Sequence, residues 1–269
     1  MTTVVSKELM EKRPLQPIAA SGWRGGLGNL LRKELGQWWG TQTWWIQTLI
    51  WVLLLNGIST IVALTETGTP AEKLQEVVQT FLPMATGLVG IGTVITAQGA
   101  IVGEKQLGTA AWVMSKPASR AAFILAKMVA YTIGFWVTGL IIPATLFFII
   151  TRLLVSEPLP LLPFLTGVAV AALSQLFYLM LTLMLGTFAN SRGPITGIGV
   201  GLILAGLLLK GFIPQAIGMV TPWYLPDISA GLALQLPLPD IWLIPLVVTG
   251  CLIVVFTAVA LWRFSREEF

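Results

Sequence analysis

Histidine is absent from this chain, and cysteine occurs once, at Cys251. Without them there can be no intramolecular disulfide, no His/Cys zinc site, no haem held by histidine and no histidine-based catalytic triad. Charge is scarce too. Only 10% of the 269 residues are charged, against about a quarter in soluble domains. No GxxxxGK[ST] phosphate loop, HExxH, GxSxG or EF-hand pattern occurs, and no carboxylate pair sits at helical spacing inside an apolar run. Intramembrane hydrolysis and unaided use of a nucleotide are both disfavoured. The net charge of +4 is too small to suggest nucleic acid as a partner.

What the chain has is apolar length: 55% of it is hydrophobic, in runs long enough to cross a bilayer. The pattern predicts an all-α integral membrane protein with six spans at about 44–64, 77–102, 121–150, 163–189, 194–212 and 241–262. A polar tail over 1–22 precedes an amphipathic segment over 23–43, and a second tail covers 263–269. In the amphipathic segment, which also carries Glu34, Leu27, Leu30, Leu31, Leu35, Trp38 and Trp39 share one helical face, with Arg32, Lys33 and Gln37 opposite. Such a helix is expected to lie in the membrane interface, its Trp rings at headgroup level. Thr65–Glu76 reads as an acidic loop, and Pro143 is expected to kink the third span. Gly197, Gly201 and Ala205 form a small-residue stripe at four-residue spacing on the fifth, suited to close approach of another helix in this chain or a second one. Pro214, Pro222, Pro226, Pro237 and Pro239 break up residues 211–240, which predicts short surface or re-entrant helices before the last span.

All of the 16 Lys and Arg residues except Lys73, Arg152 and Lys210 fall on one side of this topology. The positive-inside rule then places both termini and the 103–120 loop in the cytoplasm, at the inner membrane of the cell. Ionisable residues are nearly absent from the span interiors, which argues against a proton- or ion-coupled carrier. An uncharged path suits lipid-like, peptide or amphipathic cargo better than a bare ion. The sequence does not single out substrate-binding residues.

The longest polar interruption is Gly103–Lys127, GEKQLGTAAWVMSKPASRAAFILAK. Leu107, Ala110, Ala111 and Met114 fall at i, i+3, i+4 and i+7, the spacing of one helical face. Pro117 should end that helix by Ser115, and Ser119 is placed to cap the next. The apolar face needs a cover, either headgroups or a soluble partner.

The run Glu104-Lys105, Gly108-Thr109, Ser115-Lys116-Pro117, Ser119-Arg120 and Lys127 resembles the signature after the second span in membrane subunits of type-2 ATP-binding-cassette transporters. The Arg32-Lys33-Glu34-Leu35 helix, the six spans and the Pro-rich segment before the last span extend the likeness. Ala110, Ala111 and Trp112 depart from it, standing where an acidic residue and leucines are common in that class. The resemblance implies an exporter permease that dimerises with an identical or homologous chain and is driven by two separate ATPase subunits. ATP and Mg would then sit on those partners, with no cofactor on this chain. It further implies that Glu104 to Met114 form a coupling helix docking into the ATPase, with Glu104, Lys105, Leu107, Gly108, Thr109, Trp112, Met114, Pro117 and Arg120 as coupling residues. Trp112 and Met114 would be the anchors. A membrane scaffold that recruits a soluble complex, or an ATP-independent carrier or channel, are the alternatives.

Overall fold

The computed structural model describes residues 22–115 and 118–267. Most of the tail expected over 1–22, together with Lys116, Pro117 and the last two residues, lies outside them. Among the described residues the chain is all-α, with no strand. Six of its helices are long and apolar enough to cross a membrane. A 3-10 turn, Gly22–Arg24, leads into α1, Leu27–Trp39. The spans are α2 (Thr43–Thr65), α3 (Pro70–Ala97), α6 (Arg120–Leu154), α7 (Leu161–Phe188), α8 (Arg192–Leu209) and α11 (Leu243–Ser265). Two short helices, α4 (Val102–Gln106) and α5 (Thr109–Met114), fill the loop between α3 and α6. Between α8 and α11 lie α9 (Gln215–Gly218), a 3-10 turn at Pro222–Tyr224 and α10 (Leu225–Ala233).

The centre of the bundle is α3 and α7, which pack on each other and together hold α10. Phe81, Phe147 and Phe164 from α3, α6 and α7 form its aromatic core, the Phe81 and Phe147 rings stacked 4.0 Å apart. Peripheral spans keep apolar side chains outward, among them Leu49 and Leu53 on α2, Leu207 and Leu208 on α8, and Val247 and Val254 on α11. Helices apolar on both their packed and their open faces need hydrocarbon as solvent.

Local chemistry moves several boundaries. Helix α3 begins at Pro70, two turns before its apolar run, so most of the acidic segment is helix. Thr69 accepts from the Glu72 amide at 3.3 Å, Glu72 Oε2 accepts from the Thr69 amide at 2.7 Å, and Pro70 stands first. That reciprocal cap outweighs the lack of apolar residues in the first turns. The irregularity expected at Pro143 is a widened π-turn just before it, over Val137–Ile141. Pro143 offers no N–H to the carbonyl four residues back, and the turn opens to compensate. Its own carbonyl accepts from Asn56 Nδ2 at 3.2 Å, which ties α6 to a second π-turn in α2, Val52–Asn56.

The Pro-rich segment does not lie flat on a surface throughout. Most of helix α10 is buried, packed against α3 and α7. The Ser229 and Thr86 hydroxyls meet at 3.1 Å, and a Cβ at Gly167 would fall 2.5 Å from the Ser229 carbonyl. Protein thus shields a non-spanning helix at membrane depth, as hydrogen-bond satisfaction requires.

Candidate functional site

Gly108 governs the shape of the loop. Its φ of +69° lies in the left-handed region, which ends α4 and restarts the chain as α5. Glu104 to Met114 are therefore two short helices meeting at a corner, and Leu107 does not continue the face of Ala110 and Met114. Thr109 braces the corner by donating to the Glu104 carbonyl at 3.2 Å. Ala110 and Val113 turn inward, and Met114 is half-buried on the same core. Leu107 and Trp112 turn out, 78% and 62% exposed.

Behind this corner lies a compact charge cluster. Lys127, only 2% exposed, donates to Glu34 Oε1 at 2.9 Å and Glu104 Oε1 at 2.7 Å. Lys33 donates to Glu104 Oε1 at 2.9 Å and lies 3.4 Å from Glu34. Two cations and two carboxylates from α1, α4 and α6 thereby neutralise one another, the arrangement that makes burial of charge tolerable. Burial lowers the Lys33 pKa, but its hydrogen bond to Glu104 and the charges of Glu104 and Glu34 raise it more. The ammonium is held above its ordinary range.

Other ties surround the cluster. Lys105 pairs with Glu267 at 2.7 Å and donates to the Thr187 carbonyl at 3.2 Å, joining α4 to the C-terminal segment and the end of α7. Gln106 donates to the Asn190 carbonyl at 2.8 Å. Arg120 Nη1 donates to the Ser265 carbonyl at 2.5 Å. Ser119 caps α6 by accepting from the Ala122 amide at 2.9 Å, and its hydroxyl donates to the Trp23 carbonyl at 2.5 Å. Helix α1, the 103–120 loop, the α7–α8 turn and the C-terminal segment are thus bolted together at one end of the bundle.

Helix α1 is anchored more deeply than its amphipathic pattern suggests. Trp38 does not sit at headgroup level: it is buried edge-on between Tyr131 and Phe135, with ring centroids 5.5 and 4.9 Å away. The notch exists because residue 134 is glycine, where a Cβ would come within 2.4 Å of the indole. Trp39 stays outside, beside Trp44, and Arg32 is exposed. Gly134→Leu is expected to eject Trp38 and cost about 1–3 kcal/mol, the usual range for overpacking. A lower thermal unfolding temperature of the purified variant checks it.

On α8, the face carrying Gly197 and Gly201 is open, since a Cβ at either would meet nothing of this chain, and Ala205 is half-exposed. The opposite face does the internal packing, with Gly199 against Val94 and Gly206 against Trp223. Among the described residues no cluster of acidic and sulfur ligands could hold a metal ion.

The sequence pattern supplied the loop residues but not the Glu34–Glu104–Lys127 junction, whose members come from three helices. Glu34 lies four residues from both Leu30 and Trp38, so an acid on the apolar stripe of α1 was the available hint. Compared with known families, residues 28–227 match the model described as ABC-2 family transporter protein. No curated protein matches the chain.

Proposed function

This chain belongs to the ABC-2 family of transporter proteins, and we propose that within this membrane permease role it is an exporter subunit powered by two separate ATPases. The observation that supports this most is the pairing of an outward apolar corner, Leu107 and Trp112, with a rigid charged mounting behind it. On this proposal the corner seats in a cytosolic ATPase, which carries ATP and Mg. Closure of the ATPases pushes α4 and α5 as one piece with α1, the start of α6 and the C-terminal segment, and α3 conveys the movement into the bundle. Such a switch needs contacts that differ between two states, and a stiff linkage keeps them from being lost in loop motion.

On this proposal the end where the basic residues gather faces the cytoplasm, with both termini, a reading the positive-inside rule supports. A second permease chain, identical or homologous, covers the open Gly197–Gly201–Ala205 face of α8, and lipid covers the remaining apolar surface.

The test is reconstitution into vesicles with candidate ABC ATPase subunits. ATP-dependent movement of a candidate amphipathic cargo is expected only when both proteins are present. Flux by the permease alone would instead indicate a carrier or channel. Stable recruitment of the ATPase with no cargo movement would indicate a scaffold.

A further inference from the structure

A cavity of about 460 Å3 lies between α3, α7, α8 and the Pro222–Ala233 segment, with Lys210 at the far end of α8 and Tyr178 along α7 in its lining. Its size falls in the range of about 300–1,000 Å3 typical of small-molecule sites. Two features keep it open. Trp223 is drawn onto Gly206, where a Cβ would lie 2.3 Å from the indole, and is held there by Nε1 donating to the Leu202 carbonyl at 3.0 Å. On the facing wall, a Cβ at Gly87 would meet no atom within 4 Å.

The walls are apolar, formed by Met84, Leu88, Ile203 and Leu207. Two polar groups in the lining are already committed, since Thr86 donates to the Leu82 carbonyl at 2.6 Å and Ser174 to the Thr86 carbonyl at 2.9 Å. Tyr178 is different. It lines the cavity, is 3% exposed, and its hydroxyl has no hydrogen-bond partner among the described residues. The hydroxyl keeps some exposure although the ring is buried, so a ligand oxygen can take its hydrogen bond in place of water. At the mouth, Lys210 pairs with Asp227 and lies 4.9 Å from the centre of the Tyr224 ring. The ammonium has three N–H groups and the carboxylate several lone pairs, so one mutual bond leaves both with capacity to spare. A head of single charge would meet one of them as a like charge, whereas a head carrying both signs satisfies both.

We propose that this cavity binds a single-tailed zwitterionic amphiphile. Its tail lies between α3 and α8, its anion and ammonium meet Lys210 and Asp227, and an oxygen along it accepts from Tyr178. The claim concerns binding alone and does not rest on the ATPase-driven role.

The purified full-length chain in phosphatidylcholine nanodiscs would be irradiated with a lysophosphatidylethanolamine bearing a diazirine in its acyl chain, and the labelled peptides mapped. Saturable labelling near Gly87 and Leu207 is expected. Unlabelled lysophosphatidylethanolamine should compete about tenfold better than a fatty acid or alkylamine of equal length, the weight of one charge-assisted hydrogen bond. Gly87→Leu, which fills the open wall, should abolish saturable labelling, and Met84→Trp offers a second way to narrow it. Gly250→Leu, at an equally open site on α11, should leave labelling intact. Unchanged elution and thermal unfolding show that the variants fold. Unsaturable labelling spread over the lipid-facing helices overturns the proposal. So does saturable labelling that survives both cavity-filling variants, or equal competition by the three heads.

Discussion

Replacing Lys127 with methionine is expected to destabilise the protein by about 3–5 kcal/mol, the cost of leaving buried charge without its partner. Lys127 makes the shorter contacts to both Glu34 and Glu104 and is the buried cation of the two that touch them, and both carboxylates are well shielded from solvent. With the ammonium gone, Lys33 must serve both acids from a half-exposed position. Unlike a surface pair, the buried group is screened little by salt, so the loss should persist at high ionic strength. Adding Glu34→Gln to Lys127→Met should recover much of the stability. It leaves Lys33 facing only Glu104, so the two substitutions are strongly non-additive. Denaturant or thermal unfolding of the purified single and double variants measures this. A loss below about 1 kcal/mol, the range of exposed ion pairs, would mean that water reaches the cluster and that it does not brace the loop.

The cluster also marks where sequence reasoning stops. Apolar run length was enough to find six spans, because bilayer thickness is a constraint that acts on each segment separately. Gly108, a left-handed turn inside an otherwise helical pattern, is a local feature, and its glycine was visible. Pairing between Lys127 and Glu34 is not local: they lie 93 residues apart, and each taken alone looks like an ordinary charge near a helix end. Trp38 misleads for a related reason. An amphipathic face says that a tryptophan needs cover, and only the bundle reveals that Gly134 on α6 supplies it. The five prolines of 211–240 correctly forbid a single span, yet they say nothing of Ser229 meeting Thr86, which draws α10 into the core. Even the start of α3 escapes a reading by apolar runs, because it is set by two polar residues, Thr69 and Glu72.

On the proposed ATPase-driven role, Trp112→Glu is expected to weaken capture of an ATPase subunit by at least about 30-fold while leaving insertion and folding of the permease unchanged. Trp112 and Leu107 are exposed at the end of the bundle where the charged segments gather, just past the second span. A buried tryptophan at the centre of an interface commonly accounts for about 2 kcal/mol or more, which is the stated factor. The carboxylate adds a desolvation penalty in the same pocket. Since Ala110 and Val113 carry the inward packing of α5, the permease itself should melt as before. Trp112→Phe should retain most of the affinity by keeping an aromatic ring, and Leu107→Glu should reproduce part of the loss. Met114→Glu is a less clean probe, because Met114 also packs on the inner core and its replacement would loosen the loop. Co-purification of the ATPase with each variant, alongside thermal unfolding of the permease alone, separates lost docking from lost folding. If Trp112→Glu captures the ATPase as well as the parent chain does, the corner at Gly108 is not the docking surface and α4 and α5 do not carry the ATPase's movement.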